Sequence, residues 1–427
     1  MSGTAGTTPA HPAGARALLS LDEALQRLCD GAVAHAIDEV ETVPTAASLG
    51  RVLAADVGSG LDVPPDDNTS MDGYVLRAAD VPSPGTVLPV AQRIPAGVVG
   101  ATLAPGTAAR IFTGATIPAG ADAVVMQEQC EALPGDGLGL VRVGVVPQPG
   151  QWIRRRGEDV ALGATVLRRG TRVTPQAMGL AASVGAATLQ VVRRPRVALF
   201  STGDELVMPG EPLRPGAIYN SNRYTLQGLL QAAGCEVRDL GIVPDRLQAT
   251  REALRRAAAD ADLILTSGGV SVGEEDHLRP AVQAEGGLEN WQIAMKPGKP
   301  LAFGHVHRGE GGGAALFIGL PGNPVSSFVT FLVCVAPVLR VLQRAPAAWP
   351  RAWAMTAGFD WPRPDRRREF LRVRLGDDGR LELFANQSSG VLTSAVWADG
   401  LVDNPGGQAI ARGDVVHFLP MAALIGG

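Results

Sequence analysis

The chain holds 38 basic residues among its 427, yet only two are lysines. Both fall in one short segment, Lys296-Pro297-Gly298-Lys299. Where a surface needs only positive charge, Arg and Lys are exchangeable. A compact ammonium with rotatable donors differs from a planar guanidinium fork when the partner is a small anion. The segment therefore points to an oxyanion site, with a plain surface turn as the alternative. Three further glycine-bearing segments have related chemistry: Ser201-Thr202-Gly203-Asp204-Glu205, the stretch from Ser267, Gly268 and Gly269 through Val270 and Ser271 to Gly273, and Gly319-Leu320-Pro321-Gly322-Asn323-Pro324. Glycine lets backbone N–H groups come close to phosphate, and a following helix adds the positive end of its dipole. Residues 268–273 are the first choice for a phosphate cradle.

Carboxylates lie in the same stretches: Glu205, Asp245 and Asp276. Oxygen ligands beside phosphate suit Mg²⁺, which takes one or two carboxylates and keeps water. For Asp245 and Asp276 the ordinary alternative is helix capping. A second acidic loop spans residues 61–74 and includes Asp67 and Asp72; all three tyrosines fall in this loop or in residues 219–224. Arg154-Arg155-Arg156-Gly157-Glu158-Asp159 reads either as a solvated turn or as part of an anion site. His305 and His307 could share a strand face but lack a third ligand, and no Ser-His-Asp, Cys-His or phosphate-loop Gly-Lys-Ser/Thr pattern occurs.

These segments need scaffolding that brings them to one edge. From 196 to 342, strand and helix patterns alternate: strands at 197–200, 236–242, 263–266, 291–295 and 315–318, with helices near 224–233, 250–259 and 277–285 and another from Pro324. Alternation of this kind predicts a parallel sheet with crossover helices, whose ligand crevice lies beyond the carboxyl ends of the strands. Each glycine-bearing segment follows one of those ends. The predicted fold class is α/β plus β. Residues 1–17 form a loose tail, 18–60 with 151–190 a linker and helical domain, 61–150 a mostly β domain, 191–346 the α/β domain and 347–427 a small β domain with a hairpin at 370–384.

Composition narrows the function. The formal net charge of −4 offers no field for nucleic acid or anionic lipid. Cys29, Cys130, Cys235 and Cys334 are far apart, which fits a reducing compartment and leaves any metal to oxygen ligands. The most apolar run, 325–339, is broken by Ser, Thr and Pro and falls short of the roughly 18 residues of a membrane span. With no signal-like start, the expectation is a cytoplasmic protein.

The ordered motifs at Asp67–Tyr74, Arg154–Asp159, Ser201–Leu206, Ser267–Gly273, Lys296–Pro300 and Gly319–Ser326 resemble those of the molybdopterin molybdenumtransferases and of the C-terminal E domain of gephyrin. The resemblance covers nearly the whole chain from about residue 18. It implies an α/β molybdopterin-binding domain, an elongated homodimer, and a site between the α/β domain of one subunit and the acidic loop of the other. The implied reaction inserts molybdate into adenylylated molybdopterin with Mg²⁺ and releases AMP, with a molybdopterin adenylyltransferase as possible partner. Carried over by position, Asp245 and Asp276 match metal-associated acids, and Glu205 and Asp67 match further acids. Lys296 and Lys299 match the basic pair, and Thr113, Asp159, Arg372 and Ser389 match other functional positions. Ser70 stands where Ala is common, and Asp66 where an aromatic is common. Two rivals are a pyridine-nucleotide phosphohydrolase or deamidase sharing the α/β domain, and a noncatalytic scaffold.

Overall fold

The computed structural model describes residues 18–269, 277–309, 312–347 and 349–426. These divide into two units. One gathers the described residues up to Glu41, Gly50–Ala54 and everything from Val191; the other holds Thr42–Leu49 and Ala55–Gln190.

The first unit is built on a six-stranded sheet in the order Glu236–Val243, Arg196–Thr202, Leu263–Ser267, Ala314–Leu320, Pro300–His307, Gly286–Gln292. The first four strands run parallel, so their carboxyl ends share one edge. The three inner strands among these are near-continuous apolar runs because both faces are covered, whereas the edge strand Glu236–Val243 carries Arg238 and Asp239 and is only partly buried. Val197 and Leu199 face one core with Leu226 and Leu230, whereas Ala198 and Phe200 face another with Leu254, Ala257 and Val282. The last two strands are antiparallel to their neighbours, which corrects the sequence reading. The strand expected at 291–295 ends at Gln292, and Pro300–His307 was not anticipated. Beyond a short gap, Met295–Lys296 leaves this sheet and pairs in parallel with Arg368–Leu375 of the C-terminal sheet.

The C-terminal sheet continues through Gly400–Asn404, Val415–Pro420 and Trp353–Thr356. Its expected hairpin pairs Val373 with Leu383 and Leu375 with Leu381. The helix Leu21–Val33 is capped reciprocally: Ser20 Oγ accepts from Glu23 N–H at 3.2 Å, and Ser20 N–H donates to Glu23 Oε2 at 3.0 Å. Its face of Leu21, Ala24, Leu28 and Ala32 joins the α/β core, so this helix belongs with 191–427 rather than with the 151–190 stretch with which the sequence reading grouped it. The helical run Pro324–Leu342 is long and apolar enough to cross a membrane, but 83% of it is buried in the same core.

The second unit carries a six-stranded sheet in the order Ala123–Met126, Gly73–Leu76, Ala108–Ile111, Thr86–Ile94, Leu140–Val143, Cys130–Leu133. Its cores are small and valine-rich, as the short strands require. The helix Pro175–Ser183 begins at a Thr174 cap, whose Oγ1 accepts from Ala177 N–H at 3.2 Å.

At the opposite end of the α/β sheet from the glycine turns, Asp262 accepts from Arg193 Nη1 and Nη2 at 2.9 and 3.1 Å and from Arg196 N–H at 2.8 Å. Arg193 and Asp262 are nearly buried, so removing Asp262 leaves Arg193 only its exposed partner Glu39 and leaves Arg196 N–H without its acceptor. Asp262→Ala is expected to destabilise the first unit by about 3–5 kcal/mol, read as a lowered midpoint in chemical denaturation; an unchanged midpoint would show the pair to be dispensable.

Candidate functional site

The carboxyl edge of the parallel strands is assembled from backbone packed too closely for side chains. Gly268 and Gly269 follow Ser267 with φ of 87° and 67°, values that favour glycine. A Cβ at Gly268 would lie 2.7 Å from Thr202 O, and one at Gly269 would lie 2.8 Å from Thr202 Oγ1. The turn is thus pressed against the end of the neighbouring strand. Gly268 N–H donates to Leu320 O at 3.1 Å, and Asn222 Nδ2 donates to Gly322 O at 2.7 Å. The first bond holds the Ser267–Gly269 turn to the strand end that leads into Pro321–Pro324, and the second ties that turn to the start of the helix Ser221–Ala232. Ser201 Oγ and Ser267 Oγ are 3.2 Å apart, so two strand ends share a hydroxyl pair. Asn323 starts the helix Pro324–Thr330 without a side-chain cap bond, and Pro324 occupies its first turn.

Several buried polar atoms on these elements have no hydrogen-bond partner among the described residues: Thr202 Oγ1, Thr266 Oγ1, Asn220 Nδ2, Ser327 Oγ and Thr330 Oγ1. Buried donors without partners are costly, and a ligand or ordered water at the edge would relieve them. Thr330 Oγ1 lies against Gly298, where a Cβ would collide with it, and Gly298 has φ of 103°. This contact seats the Lys296–Lys299 turn on the helix.

The two lysines differ in surroundings. Lys299 is exposed. Lys296 Nζ lies 3.1 Å from Glu369 Oε1 and 3.8 Å from Asp365 Oδ2. The sequence reading missed Glu369, Asp365 and Trp361, which surround Lys296 from about seventy residues away; no local spacing links them to it.

Asp245 does not cap the helix Leu247–Ala258, because Arg246 occupies the cap position. Its N–H reaches Asp204 Oδ1 at 3.5 Å, which brings the Asp245 and Asp204 loops together. Glu205 is exposed beside Gly203. Val270, Ser271, Gly273 and Asp276 lie outside the described residues. Among the described residues no group of three or more His, Cys, Asp or Glu is gathered to hold a metal.

Arg372 is a buried support rather than an open contact. It donates from Nε to Ser394 Oγ at 3.2 Å, from Nη1 to Phe370 O at 3.1 Å and from Nη2 to Ser388 O at 3.3 Å. Burial lowers its pKa to about 10. The neighbouring Ser389 accepts through its carbonyl from Val325 N–H at 2.9 Å, so the Arg372-held loop meets the start of the Pro324–Thr330 helix.

In the second unit the acidic loop and the arginine segment meet each other. Asp67 Oδ1 accepts from Arg156 N–H at 2.8 Å and Oδ2 from Arg155 Nη1 at 2.6 Å. The backbone bond from Arg156 and the Arg155 guanidinium hold the Asp67 carboxyl below its usual range despite partial desolvation. Arg156 Nε also donates to Asp62 Oδ2 at 2.6 Å. Thr113 gives both its N–H and its hydroxyl to Asp72 Oδ1, each at 2.7 Å. Asp159 contributes its N–H to Val63 O at 3.0 Å. Trp152 has an unusual φ of 57° for a bulky residue, and its carbonyl accepts from Ser70 N–H and Oγ at 3.0 and 3.1 Å.

Comparison with known proteins accounts for nearly all of the chain. Residues 19–185 match the family described as the MoeA N-terminal region (domain I and II), 198–341 the probable molybdopterin binding domain, and 354–421 the MoeA C-terminal region (domain IV). The chain is 41% identical to the molybdopterin molybdenumtransferase of Haemophilus influenzae over 76% of this chain and 78% of that protein. It is 35% identical to the Bacillus subtilis protein of the same name over 92% and 91%. The crystal structure of the molybdopterin biosynthesis MoeA protein of Pyrococcus horikoshii OT3 superposes with a TM-score of 0.79 at 29% identity, covering 95% of this chain and all of that one.

Because Asp67 is depressed in the folded state, its stabilisation is complete above the unfolded value of about 3.9 and is lost as pH falls through the folded value. Asp67→Asn is therefore expected to lower the denaturation midpoint by a constant amount between about pH 7 and 5, with the difference from the parent chain shrinking below about pH 4. A difference independent of pH throughout would contradict this account.

Proposed function

This chain belongs to the molybdopterin molybdenumtransferase family, and we propose that the carboxyl edge of its α/β sheet is where molybdate and molybdopterin meet. It is a transferase of molybdenum cofactor biosynthesis that inserts molybdate into molybdopterin. In the proposed assignment, Ser267, Gly268, Gly269 and the following stretch through Val270, Ser271 and Gly273 cradle the phosphate of adenylylated molybdopterin. Pro321, Gly322, Asn323 and Pro324 form the opposing wall. The carrying observation is the set of buried hydroxyl and amide groups on these elements that lack a partner among the described residues. Donors of that kind, fixed in a low-dielectric edge, favour phosphate oxygens as charge develops on them.

The turn at Lys296–Lys299 receives molybdate. A small tetrahedral dianion needs concentrated charge more than a bidentate fork, which suits ammonium. Glu205 is assigned as a further substrate-facing group, and by the resemblance Asp67, Thr113 and Asp159 face the substrate held by the other subunit. Arg372 and Ser389 act by holding the loop that meets the Pro324 helix.

Asp245 and Asp276 are the proposed Mg²⁺ carboxylates. The fit rests on Asp245, whose side chain does no capping. An ion that retains water and borrows phosphate oxygens needs only one or two such groups. Bound there, Mg²⁺ would neutralise charge on the phosphates as AMP leaves. A cytoplasmic homodimer supplied by an adenylyltransferase completes the proposal. The pyridine-nucleotide and scaffold alternatives are not favoured, because the matches at 19–185 and 354–421 cover segments the former does not need and the relatives carry transferase names.

Two measurements test the site. Lys299→Met is expected to lower molybdate-dependent AMP release by roughly 10–100-fold, and an unaltered rate would remove the turn from the site. Asp245→Asn should shift the Mg²⁺ titration of the same reaction to higher concentration by about tenfold or more, whereas a superimposable titration would exclude Asp245 as a ligand.

A further inference from the structure

The two ammonium groups of the Lys296–Lys299 turn stand in opposite electrostatic states. Lys296 and Glu369 are direct partners where Met295–Lys296 pairs with Arg368–Leu375, so the sheet register itself brings the side chains together. The Glu369 side chain is only 1% exposed. Its Oε1 accepts from Lys296 Nζ at 3.1 Å, while Oε2 accepts from Trp361 Nε1 at 2.8 Å and Asp365 N–H at 3.1 Å. Lys296 Nζ lies 6.0 Å from the Trp361 ring centroid. Asp365 is in turn held by Arg367 through Nε at 2.9 Å and Nη2 at 2.7 Å. Lys296, Arg367, Asp365 and Glu369 thus form a neutral quartet. Lys299 makes no ion pair among the described residues.

We propose that Glu369 is a positioning residue, an internal counter-ion that fixes Lys296 and cancels its charge so that the turn offers one uncompensated ammonium, Lys299, to the incoming oxyanion. This inference rests on the reading that molybdate enters at this turn. A buried carboxylate left without its cation is strongly penalised, so the pair persists when a solvated anion arrives nearby. With Glu369 in place, Lys296 anchors the turn to the C-terminal sheet and adds little net attraction. A site with two free ammonium groups would hold a dianion more tightly and release it more slowly.

The test is calorimetric binding of molybdate alone to the full chain at low and moderate salt. Glu369→Gln keeps the shape and the Trp361 bond but frees the Lys296 charge; molybdate is expected to bind roughly tenfold more tightly, with a steeper loss in salt. Adding Lys296→Met reverses that gain. A merely structural role for Glu369 cannot produce tighter binding. Unchanged or weaker binding by folded Glu369→Gln overturns the proposal. Should that variant not fold, the charge-free double variant decides alone: a loss of roughly tenfold or more relative to the parent overturns it by showing that Lys296 itself grips the anion, and a smaller loss supports it. Lys299→Met separates the two levels, since undiminished binding in that variant removes the underlying site reading as well.

Discussion

Close approach of glycine backbone to Thr202 and Thr330 is the constraint from which the candidate site follows. Where Gly268 and Gly269 pass Thr202, there is no volume for a Cβ. The same holds for Gly298 against Thr330. Closeness of this order brings turns from separate strands into one edge, and polar atoms of Thr202, Thr330 and Ser327 are buried there without a partner among the described residues. Such omissions cost stability, and a bound ligand or ordered water would offset them. Donors beside glycine turns suit a phosphate-bearing ligand, in keeping with the proposed site.

The C-terminal sheet contributes more than a lid of strands. Its Arg368–Leu375 strand accepts Met295–Lys296 from the α/β region as an additional strand, which sets Lys296 opposite Glu369. On the same strand, Arg372 holds Ser388 while the Ser389 carbonyl receives Val325 N–H. Both attachments end on turns of the candidate edge. Arg372 has no carboxylate partner among its described bonds, and its charge is spread over two carbonyls and a hydroxyl. It therefore stiffens the loop at some electrostatic cost, which burial registers as a lowered pKa.

In the second unit, charge organises loops that have little apolar content. Asp67, Asp62, Arg155 and Arg156 satisfy one another, and Thr113 satisfies Asp72. The arginine segment could be read from sequence either as a solvated turn or as part of an anion site; its guanidinium and backbone groups are in fact committed largely to carboxylates of this chain. Ser70 spends its hydroxyl on the carbonyl of Trp152, a backbone in a conformation that a bulky residue rarely takes. Neither residue's neighbours in sequence would have suggested that contact.

Period-two and strand-helix patterns were sufficient to locate four parallel strands, the glycine turns after them and the C-terminal hairpin, because burial on both faces and tight turns are written into local residue types. The isolation of two lysines among many arginines likewise singled out the turn on which the proposed function rests. Sequence patterns could not show that Pro300–His307 turns back antiparallel, since an apolar run has the same composition in either direction. They could not show that helix Leu21–Val33 packs with residues far along the chain, or that Lys296 pairs with Glu369 while Lys299 makes no ion pair among the described residues. Those outcomes depend on which side chain lies across a sheet or core from which other, and such neighbours are separated by long stretches of chain whose spacing carries no signal.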